Sequence, residues 1–144
     1  TRYADSSIKW SAYEPDVKSI IVYNSIVPKL FSWFIEVYAI TLFPFIFIKD
    51  DGNTQTENHE SIHIAQYAEL FVFGFLFLYA FDYAKGLIKY RNKTKAYLMI
   101  RFEQEAYEMD KDLNYLDSRE KFAWRKYQVW NYSLKDGTST LTKI

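Results

Sequence analysis

The chain holds two histidines, and they stand four residues apart with a carboxylate after the first: His59-Glu60-Ser61-Ile62-His63. On a helix, residues i and i+4 lie about 40° apart around the axis, so both imidazoles point to one side and can share one ion. Glu60 lies about 100° from His59, beside such an ion rather than on it. A carboxylate in that place can hold a water molecule, take its proton and later return it, while Zn2+ supplies the Lewis acidity. The spacing therefore nominates His59 and His63 as metal ligands and Glu60 as the catalytic base.

A catalytic zinc needs a third protein donor. The chain has no further histidine and no cysteine, so the donor must be Asp or Glu. The candidates lie in Arg101-Phe102-Glu103-Gln104-Glu105-Ala106-Tyr107. Glu103 and Glu105 flank an apolar stripe from opposite sides, and helical phase slightly favours Glu105. Gln66, near His63 on the same helix, could hydrogen-bond behind the site. Tyr107 and Tyr115 are candidate oxyanion donors.

The elements that must position these groups can be read from periodicity. Thr54-Gln55-Thr56-Glu57 has the form of a capping box with Thr54 as N-cap, opening a helix that carries both histidines. This helix can run on through Tyr67 into an unbroken apolar run at residues 70–81, with Gly86 or residues 90–93 as the place for a break. A second helix is expected over residues 95–117, with the stripe Phe102, Ala106, Met109, Leu113 and Leu116 buried against the first. Ser19–Tyr23 reads as a short strand. Pro28 starts a helix carrying Leu30, Phe31, Phe34, Ile35 and Tyr38. Residues 39–48 read as one strand with Pro44 at an edge or bulge, and Lys49–Asn53 as a turn. Residues 119–131 suggest a last short helix. The expected class is mainly α with a small β element (α+β), with residues 1–18 an arm, 19–132 a single domain and 133–144 a flexible tail.

Composition sets the bounds. With 144 residues the chain is one ordinary domain. Lys plus Arg is 18 and Asp plus Glu is 18, so net charge offers nothing for nucleic acid. The absence of cysteine excludes disulfide frameworks and thiol catalysis. One residue in five is aromatic, which is enough ring surface to expect some in an interface. Residues 1–10 lack the apolar stretch of a secretory leader.

The motif His59–His63 followed by Glu103-Gln104-Glu105-Ala106 resembles the gluzincin class of zinc metallopeptidases, which pairs HExxH with a downstream Glu in the pattern ExxA(D/N). Matching Ala106 to the motif Ala implies Glu103 as third ligand, with Tyr107 where the class carries a supporting Asp or Asn. Over residues 38–117 the chain also resembles small HExxH proteins of bacteria and their phages. Thr41-Leu-Phe-Pro-Phe-Ile-Phe-Ile48, Asn58–Gln66 with Glu69, and Phe102–Tyr107 carry that likeness. The resemblance implies a minimal zincin-like fold, a zinc site, and an edge strand at residues 39–48 beside a peptide cleft. The expected function is a zinc-dependent metallopeptidase acting on a peptide or protein by metal-activated water. One alternative is a non-catalytic zinc-stabilised subunit of a larger assembly such as a phage particle, held through its aromatic surface. Another is a membrane-associated peptidase using the two apolar runs, a contact ranked below a cytoplasmic or particle-associated location.

Overall fold

The computed structural model describes residues 8–14, 17–31 and 38–127. In chain order these form β1 (Ile8–Glu14), β2 (Val17–Val22), α1 (Val27–Phe31), β3 (Ala39–Leu42), β4 (Phe45–Ile48), α2 (Thr54–Tyr90), α3 (Lys93–Leu98), α4 (Arg101–Met109), α5 (Tyr115–Ser118) and a 3-10 turn at Ala123–Lys126. The described chain is mainly helical with a small sheet, an α+β arrangement.

The sheet runs β1-β2-β4-β3. β1 and β2 pair antiparallel, β2 and β4 parallel, and β3 and β4 form an antiparallel hairpin with Leu42 opposite Phe45. The expected arm at residues 1–18 is thus corrected: its residues 8–14 and 17–18 are strand. The two strands form a local antiparallel pair across residues 15–16, and the polar residues of this stretch alternate with Ile8, Trp10 and Ala12 as a strand's do. The single strand expected over residues 39–48 is two strands, with Pro44 in the two-residue turn. Proline has no N–H to lose from a ladder there. Ile46 and Ile48 face inward and pack with Ile21, Tyr23 and Ile64, whereas Phe45 faces out. β3 is the edge of the described sheet.

α1 begins near Pro28 as expected and is described only to Phe31, with Leu30 exposed; residues 32–37 lie outside the described set, as do 128–144 with the expected tail. The cap of α2 is Asn53, not Thr54. Its side chain accepts from the Thr56 N–H at 2.9 Å, and Glu57 instead accepts from the Tyr23 hydroxyl. The capping chemistry is the same one residue earlier.

α2 is continuous in the chain but not straight. Phe71 has φ 56° and ψ 163°, non-helical values inside the element. Eight residues of uninterrupted helix span about 12 Å, yet the Phe75 ring stacks on Tyr67 with centroids 3.8 Å apart. The second arm (residues 72–90) therefore folds back onto the first (residues 54–70). A β-carbon at left-handed φ costs on the order of 1 kcal/mol, and the stacked cluster of Tyr67, Phe75, Ile100, Phe102 and Trp124 offsets it. The second arm ends at Arg91 in the left-handed conformation. Gly86 stays inside the helix because a β-carbon there would lie 2.9 Å from the Ala96 Cα on α3.

The helix expected over residues 95–117 is three helices. α4 starts without a side-chain cap of its own. The buried Asp82 of the second arm supplies one, accepting from the Arg101 N–H at 3.3 Å and from its guanidinium at 2.6 and 2.8 Å. α4 stops at Met109 because the Asn58 amide donates to the carbonyls of Met109, Asp110 and Asp112. Beyond that stop the helical phase is lost. Phe102 and Ala106 are fully buried as expected, but Met109 and Leu116 are half-buried and Leu113 is exposed.

Candidate metal centre

The first arm of α2 passes through the middle of the molecule. Residues 58–67 are all buried, although six of the ten are polar. Buried polar groups are tolerated when each has a partner, and here the partners converge on one place. Asn53 and the capped first turn fix the helix start, so His59 and His63 emerge on the face toward α4. There Glu103, buried in the first turn of α4, meets both. Its Oε2 lies 3.4 Å from His59 Nε2 and its Oε1 lies 3.4 Å from His63 Nε2. One ligand atom from each of the three residues can be chosen so that all lie within 4.8 Å of one another.

Each ligand is held from behind. His59 Nδ1 lies 3.3 Å from Asp110 Oδ2, and Asp110 accepts from Gln55 at 2.9 Å. His63 Nδ1 lies 2.8 Å from Gln66 Oε1, so the ring donates there and keeps Nε2 for the centre. Gln66 is itself locked, donating to the Phe102 carbonyl and to Glu105. Tyr79 and Tyr97 donate to the two oxygens of Glu103 at 2.7 and 2.8 Å. Such supporting contacts orient the ligands; the Asp110 carboxylate also makes His59 more basic, while the two tyrosine hydroxyls stabilise Glu103 as an anion.

The charges answer one another. Burial would push His59 down, but Asp110 and Glu103 outweigh it and raise the imidazole from 6.5 to about 10. His63 is raised as well, chiefly by Glu103 against burial and His59. Burial would raise Glu103, yet His63 and His59 hold it well below the usual carboxylate range. Burial and the Glu103 charge push Tyr79 and Tyr97 well above 10, so they remain donors.

The three residues could hold a metal ion. Two imidazole nitrogens and one carboxylate oxygen are a donor set suited to first-row divalent cations. Glu105, favoured by helical phase, is elsewhere. It is fully buried and bound by Tyr115 at 3.0 Å and by Arg119 at 2.5 Å. Arg119 also reaches Glu69 at 2.5 Å, so Glu105 is committed to a two-carboxylate pair with one guanidinium. Tyr115 is corrected likewise: it serves Glu105, not the centre. Tyr107 sits edge-on to His59 with centroids 4.5 Å apart. Asp110, four residues after Ala106, is the carboxylate that stands behind His59.

Glu60 is not in the donor group. Thr41 of β3 donates to its Oε2 at 2.6 Å. Glu60, His63 and Glu103 line one side of a cavity of about 390 Å³. Its wall also includes Ala39–Leu42 of β3, several residues of the second arm, Leu76, Tyr79, Ala80 and Tyr83 among them, and the rings of Tyr67 and Tyr97. Sequence reading missed Thr41, Tyr79, Tyr97, Asp110 and Arg119. A carboxylate four residues after Ala106 was a usable signal for Asp110; with 13 tyrosines in the chain, nothing singled out two of them. No protein-family model, no curated protein and no solved structure matches this chain.

Proposed function

We propose that the chain is a zinc-dependent metallopeptidase. The observation that carries this reading is a division of labour at one place: three buried donors converge, while the adjacent Glu60 is turned aside onto Thr41 at a cavity wall. Structural zinc sites are closed by four protein ligands, whereas catalytic ones use three and keep a position open. Among the described residues the donor group numbers three. Zn2+ held by His59, His63 and Glu103 would polarise a carbonyl and acidify a water.

The remaining work falls to the chain's own side chains. Thr41 fixes Glu60 Oε2, which leaves Oε1 to take a proton from the attacking water and pass it to the departing amine. An extended peptide can lie along β3, whose outer edge is open among the described strands and whose four residues all line the cavity. The wall of Leu76, Ala80 and Tyr83 favours an apolar side chain next to the cleaved bond and excludes water around Glu60.

Glu60→Gln is the decisive variant. It should keep metal content and melting temperature and lose cleavage of a peptide library by at least about a thousandfold, as expected when a general base is removed from a metal site. Glu103→Gln should lower metal content as well. A wild-type protein loaded with zinc that cleaves no library peptide would sink the catalytic reading in favour of a metal-stabilised module.

A further inference from the structure

We propose that the second arm of α2 seats its outer face on a lipid bilayer bearing anionic headgroups. The face is Phe73, Leu76, Phe77, Ala80, Phe81, Ala84 and Ile88, all exposed, with Phe73 at 86% and Phe77 at 71%. At 100° per residue these positions fall within a sector of about 140°, and they extend over about 22 Å of helix. An unbroken apolar face of that size is far more than scattered surface hydrophobes.

Two further observations name the occupant. Counted across the break at Phe71, α2 is long and apolar enough by composition to cross a membrane, with a mean hydropathy of 1.6 over its most apolar stretch, of which 28% is buried. Most of that apolar stretch is therefore not used in packing the described fold. The opposite side of the arm is engaged with protein: Asp82 with Arg101, Tyr79 with Glu103, Gly86 against Ala96. One free face suits a helix lying in the interface rather than surrounded by lipid. The second observation is charge. Between Asp82 and Glu103 the sequence holds Lys85, Lys89, Arg91, Lys93 and Lys95, besides the Arg101 that pairs with Asp82, and no Asp or Glu, in a chain of zero net charge. Lys85 lies over the Phe81 ring at 5.4 Å, at the rim of the apolar face. Basic residues beside a buried apolar face are the chemistry that holds a helix on anionic lipid.

The seat has a consequence for the cavity. Leu76 and Ala80 belong both to the outer face and to the cavity wall. A chain resting on this face has its cavity mouth at the lipid surface, and, on the peptidase reading above, its substrate is a membrane-proximal apolar peptide segment.

Vesicle co-sedimentation tests the seat on the full chain, run with Glu60→Gln protein so that catalysis plays no part. Vesicles of mixed phosphatidylcholine and phosphatidylglycerol should carry the protein down, and phosphatidylcholine alone or high salt should do so far less. Phe73→Gln with Phe77→Gln should weaken binding at least about tenfold at unchanged metal content and melting temperature. Lys89→Gln with Lys93→Gln should weaken binding to the mixed vesicles only. Absence of binding to mixed vesicles, or equal binding by the Phe73/Phe77 variant, overturns the proposal. So does an oligomer in vesicle-free buffer that this variant dissociates, which would give the face to a second copy. Vesicle binding without any peptide cleavage by the wild type keeps this inference and sinks the peptidase; cleavage without vesicle binding does the reverse.

Discussion

The two arms of α2 invert the usual relation between polarity and burial. The first arm is buried on every side at residues 58–67, and carries Asn58, His59, Glu60, Ser61, His63 and Gln66 there. The second arm is made largely of Phe, Leu, Tyr and Ala, and leaves Phe73, Phe77 and Ile88 exposed. A helix folding for stability alone would place the two the other way round. Each arm therefore departs from the rule for its own reason. The polar arm is tolerable inside because nearly every group on it is answered by a partner from α4, β3 or the chain after α4. The apolar arm is tolerable outside only where something apolar covers it.

The largest effect should come from breaking the polar interior where charge is densest. Arg119 is 1% exposed at its side chain and joins Glu69 to Glu105. Arg119→Met removes the cation shared by buried Glu105 and half-buried Glu69 and should cost about 3–5 kcal/mol, read by denaturant unfolding. A loss below about 1 kcal/mol would mean that water reaches this pair and that the interior is less closed than the comparison requires.

Asp110→Asn comes next. It keeps the shape but removes the charge behind His59 Nδ1, and should weaken metal binding by about 10–100-fold, measured by competition with a chelating dye. Unchanged affinity would detach the end of α4 from the centre. Gly86→Ala forces a β-carbon to 2.9 Å from the Ala96 backbone and should cost about 1–3 kcal/mol. A neutral result would show that the second arm can slide on α3.

Proton linkage gives a sharper test of the polar arm. His59 is raised in the fold from 6.5 to about 10, so the folded state binds its proton more tightly than the unfolded chain does. In chelator, its contribution to stability should be complete below pH 6.5 and should fade as pH rises toward 10. With metal bound, protons and metal compete for the same imidazoles, so metal should be lost on the acid side instead. Melting curves in chelator and in metal should therefore tilt in opposite directions across that range. The smallest effect belongs to exposed apolar side chains: Phe73→Gln with Phe77→Gln on the outer face, or Leu113→Asp in the chain after α4, should change stability in solution by within about 0.5 kcal/mol each. A larger loss would mean those side chains are packed.

Much of this was legible from spacing. His59, Glu60 and His63 announce a shared helical face by number alone, and residues 54–90 announce a helix through caps and composition. Class and the Lys49–Asn53 turn follow from local chemistry in the same way. The helix over residues 95–117 was misread because its interruption comes from elsewhere: the Asn58 amide captures the carbonyls after Met109, and no local pattern encodes a donor fifty residues upstream. The β1–β2 pairing had a local signal that was passed over, the alternation Ile8-Lys9-Trp10-Ser11-Ala12 in a strand that ends two residues before the next. The motif likeness implied Glu103 and helical phase favoured Glu105; the phase argument failed because the helix starts at Arg101 under the distant cap of Asp82, and Glu103 lies beside both histidines.

What the sequence by itself determined is therefore local: the periodicities, the caps and the two-histidine spacing, each set by backbone geometry within a turn or two. What only the tertiary structure decided is which carboxylate joins the histidines and which side of α2 stays bare. Both follow from the reversal at Phe71, which lays Phe75 on Tyr67 and Tyr79 on Glu103. A single residue at left-handed φ carries no mark in its identity. Its position is set by the packing energy of the aromatic cluster around Phe75, which exists only once the chain has folded back.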